Sequence, residues 1–250
     1  MIGEVALEDK SFADKTEVKC DPLGHCYLLS HDQEAVQAWF EPQVRQWNAK
    51  PVTGSGRGSA WFMRIGDREV VLRHYLRGGM VAKLTRDLYV WKGLDKARSI
   101  HEYRILWMLS QKGLKVAKPL AAMVTRTRGF FYRAALLTYR IPGAVPLCKF
   151  EDGDVWLQAG RTIATMHQIG VWHADLNINN ILVDTHAQVW LIDFDRARSG
   201  VQDKAFLKGN LQRLERSVLK VCPQAHAGLW EMLLKGYDLG PFELNDPSSG

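Results

Sequence analysis

The stretch that decides the fold is Val171-Trp172-His173-Ala174-Asp175-Leu176-Asn177-Ile178-Asn179-Asn180-Ile181-Leu182-Val183-Asp184-Thr185-His186-Ala187-Gln188-Val189-Trp190-Leu191-Ile192-Asp193-Phe194-Asp195-Arg196-Ala197-Arg198. Two short apolar, partly β-branched runs, Ile181-Leu182-Val183 and Val189-Trp190-Leu191-Ile192, flank a polar turn at 184–188, and this pattern predicts a β-hairpin. Such a hairpin carries Asn180, just before its first strand, back beside Asp193, just after its second. Asp and Asn also mark ordinary turns, so no one of these residues is informative alone. Their spacing is. Asp175 precedes Asn180 by five positions and Asp193 by 18. Phosphoryl transfer needs a carboxylate near the attacking hydroxyl and hard oxygen ligands for Mg2+, because the metal carries charge developing on the triphosphate. Asp175, Asn180 and Asp193 fit those roles in that order.

Working outward, residues 154–170 predict a helix, with Trp156, Ile163, Met166 and His167 at helical intervals and His167 inside the core. After Arg198 come two amphipathic helices. Leu207, Leu211, Leu214, Val218 and Val221 form one apolar stripe, with Lys208, Arg213, Arg216 and Lys220 outside it; Leu229, Trp230, Leu233 and Leu234 form the second. Upstream, Gly54, Gly56 and Gly58 lie in a turn between strand-like flanks, where backbone N–H groups can approach phosphate oxygens. A strand over 68–75 follows, then the loop Arg77-Gly78-Gly79-Met80 and Lys83. Residues 95–113 predict a helix through Ile100, Tyr103, Leu106 and Trp107, with Gly113 at its C-terminal cap. Pro119 is expected to end the segment after it, and 130–139 to give one or two strands. Near the N-terminus, a helix starting at Asp32 with Val36, Trp39 and Phe40 on its apolar face stops before Pro42.

The chain has 250 residues, 46% of them hydrophobic, with 9 Trp. This composition belongs to a packed globular protein of one large domain or two lobes. Cys20, Cys26, Cys148 and Cys222 are scattered without a Cys-x-x-Cys pair, which argues against structural zinc or a disulfide framework and for reduced thiols in a cytoplasmic protein. Neither a secretory leader nor a membrane-spanning run is read in the sequence. The net charge of +6 is uneven: residues 57–140 hold 18 Lys or Arg against 5 Asp or Glu, whereas residues 141–250 hold 10 against 13. The basic half should seek anions such as ATP phosphates, an acidic substrate or anionic lipid. Nucleic acid is not expected, because the basic residues lack a regular aromatic interleave.

His173-Ala174-Asp175-Leu176-Asn177-Ile178-Asn179-Asn180 resembles the kinase catalytic loop His-Arg-Asp-Leu-x-x-x-Asn, and Asp193-Phe194-Asp195 stands where Asp-Phe-Gly does. Asn177 replaces the Lys usual in Ser/Thr protein kinases, Asp195 replaces the Gly, and the Ala-Pro-Glu motif is missing; these departures resemble small-molecule kinases. Together with Leu72-Arg73-His74-Tyr75-x-Arg77-Gly78-Gly79 and Lys83, the motifs look like those of the 3-deoxy-D-manno-octulosonic acid (Kdo) kinases of Gram-negative bacteria, related to the lipopolysaccharide core heptose kinases.

That resemblance implies a two-lobed, protein-kinase-like α+β fold. An N-terminal extension over 1–50 would pack on an N-lobe over 51–140, an antiparallel sheet plus one helix, followed by a reduced, mainly helical C-lobe over 141–250. It implies ATP as donor, Mg2+ as cofactor, and a Kdo hydroxyl of a lipid A precursor, position 4, as acceptor. The implied setting is the cytoplasmic face of the inner membrane, as a peripheral protein. Asp175 would be the catalytic acid-base group, and Asn180 and Asp193 the metal ligands. Arg73, standing at the third-strand cation position, or Lys83 would hold the phosphates, with Glu102 as the cation's partner and the glycines above. Asp195 would bind a second metal or contact substrate; Arg196 and Arg198 would either supply charge in place of the Lys missing at Asn177 or form structural ion pairs. Alternative acceptors are heptose, another small molecule or a protein, and a catalytically inactive lipopolysaccharide-binding module is the reading of another class.

Overall fold

The computed structural model describes residues 16–20, 25–30, 37–40, 48–52, 60–76, 87–127 and 130–240. The chain divides into two compact units, residues 1–104 with 118–140 and residues 105–117 with 141–250.

The first unit is an antiparallel sheet with one helix. Its described strands are β1 (Thr16–Cys20), β2 (His25–Ser30), β3 (Lys50–Pro51), β4 (Ala60–Ile65), β5 (Arg68–His74), β6 (Tyr89–Val90), β7 (Pro119–Arg126) and β8 (Phe131–Tyr139), ordered β1-β2-β7-β8-β5-β4-β3 with β6 also on β8. Side chains alternate between faces along a strand. On β5, Val70 and Leu72 are fully buried and pack with Met63, Leu120, Ala121, Ala135, Leu137 and Phe40 as the core of the sheet. Arg73 is then directed the other way. Helix α1 (Arg98–Gln111) starts in this unit. Tyr132 Oη accepts from the Arg98 N–H at 3.1 Å, and Ser99 Oγ donates to the Met123 carbonyl at 2.8 Å, so the helix start is fastened to β7 and β8.

Three sequence expectations change here. Residues 16–20 and 25–30 are not an extension resting on the lobe but two strands of its sheet, with β2 paired to β7 through Leu28↔Ala122. Of the helix read from Asp32, the described part is a short 3-10 turn, Gln37–Phe40, whose Phe40 enters the core; the rest lies outside the described residues. Pro119 opens β7 instead of ending a segment, which suits a residue lacking a ladder donor at the first strand position.

The second unit contains β9 (Val145–Pro146), α2 (Gly153–Gln168), β10 (Ile181–Val183), β11 (Val189–Leu191), α3 (Lys204–Val221) and α4 (Leu229–Asp238), with the strands ordered β11-β10-β9. Asp152 caps α2 by accepting from the Asp154 N–H at 2.8 Å, and Asp203 caps α3 by accepting from Ala205 at 2.8 Å. Helices α2 and α4 touch backbone to backbone. A Cβ on Gly160 would lie 1.9 Å from the Leu233 carbonyl oxygen, and one on Gly236 would lie 1.9 Å from that of Leu157. Only glycine at both positions permits this approach. On α3 the apolar stripe is shorter than read: Leu214 and Val218 are buried, whereas Val221 in the last turn is exposed. Among the described residues no helix is long and apolar enough to cross a membrane.

Candidate active site

The hairpin forms with the expected register, Ile181↔Leu191, Leu182↔Trp190 and Val183↔Val189. Asp184 closes its turn, accepting at Oδ1 from the His186 and Gln188 N–H groups at 2.8 and 3.0 Å and at Oδ2 from Trp190 Nε1 at 2.8 Å. The Ile192 N–H donates to the Asn180 carbonyl at 3.0 Å, so the backbones beside the two expected metal ligands are joined. Asp193 then adopts a left-handed conformation, φ 63°, which among non-glycine residues Asp and Asn tolerate best.

His173 ties this corner to the Asp175 loop. It is fully buried. The Asp175 N–H donates to its Nδ1 at 3.1 Å, and its Nε2 lies 3.0 Å from the Ile192 carbonyl. A backbone N–H can only donate, so Nδ1 is bare and Nε2 carries the proton. Burial lowers the pKa of His173, against the opposing pull of the Ile192 carbonyl, and the neutral ring is retained. The loop is pinned again from within: Asn180 Nδ2 and Asn177 Nδ2 both donate to the Asp175 carbonyl, at 2.9 and 3.0 Å. With its nitrogen engaged, the Asn180 amide keeps its oxygen as a hard donor.

One face of α3 grips the same loop. Asn210 Oδ1 accepts from the His173 N–H at 3.1 Å while its Nδ2 donates to the His173 carbonyl at 2.7 Å. Ser217 Oγ accepts from the Ile178 N–H at 3.1 Å. Between them Arg213 Nη1 donates to Asp175 Oδ1 at 3.2 Å. Positions 210, 213 and 217 fall on one side of a helix. His167, at the end of α2, pairs its Nε2 with Asn210 Oδ1 at 3.2 Å and its Nδ1 with Tyr237 Oη at 2.8 Å.

In the first unit, Glu102 is buried on α1 and bonded to both Arg73 of β5 and the Tyr75 hydroxyl. Arg73 Nη2 also reaches Tyr75 Oη at 3.3 Å, and the guanidinium groups of Arg73 and Arg98 lie 4.9 and 5.4 Å from the Tyr75 ring centroid. Burial, and then the negative charge of Glu102, push the Tyr75 hydroxyl well above its ordinary pKa, so it stays a donor.

The sequence matches the family described as "Lipopolysaccharide kinase (Kdo/WaaP) family" over residues 42–237. The chain belongs to that family. A 3-deoxy-D-manno-octulosonic acid kinase of Stenotrophomonas maltophilia (strain R551-3) is 45% identical over 186 residues, 73% of this chain and 74% of the relative. The kinase of the same name from Xylella fastidiosa (strain M23) is 41% identical over 212 residues, 82% and 83% of the two chains. Among solved structures, a chain titled "WaaP in complex with acyl carrier protein" aligns with TM-score 0.56 at 15% identity, covering 86% of this chain and 89% of that one. That similarity concerns the fold, which is kinase-like, as the sequence motifs implied. The protein is therefore a phosphotransferase acting on a hydroxyl group.

Within this Kdo/WaaP-family chain the structure gathers Asp175, Asn180 and Asp193 around one hairpin and pairs Arg73 with Glu102. Gly54, Gly56, Gly58 and Lys83 lie outside the described residues. Arg196 reaches no closer than 4.0 Å to Asp195, and the Arg198 guanidinium sits 5.5 Å from the Trp172 ring centroid. Among the described residues Arg213 is the cation touching Asp175, and the sequence pattern places it on the solvent side of its helix. Asn210 was missed too. An amide in mid-helix is a poor helix former unless its side chain has another task, and that signal, with Arg213 and Ser217 at the following turns, was present in the sequence. Among the described residues no group of three or more His, Cys, Asp or Glu could hold a metal by itself. A carboxylate with an amide oxygen still fits Mg2+, which takes one or two protein ligands and completes its shell with water and substrate phosphate.

Proposed function

We propose that this protein phosphorylates the Kdo sugar of a lipid A precursor in lipopolysaccharide core biosynthesis, using ATP and taking the hydroxyl at position 4 as acceptor. The reading is carried by one observation: a Kdo/WaaP-family chain, 41 to 45% identical to Kdo kinases over most of its length, keeps Asp175 on a loop pinned by His173, Asn177, Asn180 and Asn210. In the reaction the acceptor oxygen attacks the γ-phosphorus as the bond to the β,γ-bridging oxygen breaks. Asp175 orients the hydroxyl and receives its proton, and ADP leaves. Asn180 and Asp193 would hold Mg2+, which when bound offsets the charge of the triphosphate. Arg73, steadied by Glu102 and Tyr75, would contact the phosphates.

The acceptor is an anionic glycolipid, and the surplus of Lys and Arg over residues 57–140 suits both it and the cytoplasmic face of an inner membrane, where the protein would act peripherally. The test incubates the purified chain with Mg-ATP and either Kdo-lipid or a heptose-bearing acceptor and reads products by mass. Gain of one phosphate on Kdo-lipid alone, at position 4 by NMR, is expected; gain on heptose alone would overturn the assignment.

A further inference from the structure

Resting on the Kdo-kinase reading above, we propose that Arg213 is the anchor for the carboxylate of the sugar-acid acceptor, and that in the free protein Asp175 occupies its guanidinium in the acceptor's place. Arg213 touches the carboxylate assigned to the incoming hydroxyl, so it lies within reach of the acceptor and not only of the nucleotide. Its position relative to that loop is fixed: Asn210, one turn before it, holds both backbone groups of His173, and Ser217, one turn after it, holds Ile178. The residues around Asp175 on the loop, neutral His173 and Asn177, Asn179 and Asn180, supply no other cation.

The pair is also built to exchange. It is a single contact at 3.2 Å between side chains 48% and 57% exposed, and ion pairs of that kind are weakly held. A guanidinium is a planar fork that takes a carboxylate through two parallel bonds, and Asp175 uses one. An acceptor carboxylate that takes over the fork releases Asp175 to bind the hydroxyl, so docking of the correct substrate frees the base. A neutral heptose lacks the group that makes this exchange.

The experiment compares kcat/KM for Kdo-lipid and for the same lipid with its sugar carboxylate converted to an uncharged amide. Charge-assisted hydrogen bonds are worth about 10-fold to about 100-fold in binding, so the wild-type chain should prefer the acid by that factor. Arg213→Gln should lose most of that factor on the acid through acceptor KM, leave ATP KM unmoved, use the amide lipid somewhat better than the wild-type chain because Asp175 is then already free, and so bring the preference to about one. Arg213→Lys should restore part of it. The inference is overturned if Arg213→Gln keeps the wild-type preference, or if both acceptors fall equally through kcat. Equal use of both acceptors by the wild-type chain also overturns it while leaving the Kdo-kinase reading intact; turnover of neither defeats that reading and the anchor with it.

Discussion

Each unit of the chain holds an arginine paired with a carboxylate, and the two pairs are built in opposite ways. Glu102 retains 2% of its side-chain exposure and is shared by Arg73 and Tyr75; Asp175 is more than half exposed and meets one nitrogen of Arg213. A buried carboxylate stays ionised through the partners that replace water around it. An exposed pair is screened and can dissociate at little cost. The difference separates a charge that must stay in place from one that must meet a substrate.

The largest effect expected from breaking either pair is kinetic. Asp175→Ala removes the group proposed to orient and deprotonate the acceptor, and kcat on Kdo-lipid should fall about 10²- to 10⁴-fold. Its thermal midpoint should hardly move, since the partner lost is an exposed one. Near wild-type turnover would rule out the role given to Asp175. For Glu102→Ala the effect is on the fold: Arg73 and the Tyr75 hydroxyl lose their shared acceptor, and stability should drop by about 3–5 kcal/mol in urea titration, nearer the lower figure because Arg73 keeps some exposure. A change under about 1 kcal/mol would show that water already reaches the site.

How much of this was legible in the sequence depends on range. The hairpin at 181–191 was readable because its apolar runs and polar turn are local, and its own register brings Asn180 back beside Asp193. The pairing of Arg73 with Glu102 came only from family resemblance, since 29 positions separate them and periodicity does not reach so far. Arg213 escaped because polarity on a helix face looks the same whether it meets water or another loop. The membership of β1 and β2 in the sheet escaped for a related reason: strand pairing between β2 and β7 joins segments roughly a hundred residues apart, and neither partner carries a mark of the other.

His167 is a buried group that pairs with no opposite charge among the described residues. Burial depresses the pKa of His167 from 6.5 to about 4, the bond to Asn210 opposing and His173 adding to the shift. Above about pH 6.5 its full contribution to stability is present. As pH falls toward 4 the unfolded chain takes a proton that the folded one refuses, and up to about 3 kcal/mol is lost. The stability gap between wild type and His167→Gln should therefore narrow from pH 7 to pH 4.5. An unchanged gap would mean that His167 titrates normally inside the fold.

The smallest effect is the sharpest test of burial as the deciding variable. Arg140 pairs with Glu69 at 3.4 Å, again an arginine with a carboxylate in the first unit, but with side chains 36% and 50% exposed. Its guanidinium also lies 4.3 Å from the Phe62 ring centroid. Arg140→Ala removes both contacts, yet the Arg140 N–H bond to the Glu69 carbonyl at 3.0 Å belongs to the backbone and survives. An exposed ion pair and an exposed cation–π contact are each worth about 1 kcal/mol or less, so the loss should stay near about 1 kcal/mol and shrink further in salt. A double-mutant cycle with Glu69→Gln isolates the pair. If its coupling matched the cost of Glu102→Ala, charge pairing alone would set the energy and the contrast between the buried and exposed pairs would collapse; a coupling several-fold smaller leaves desolvation as the cause.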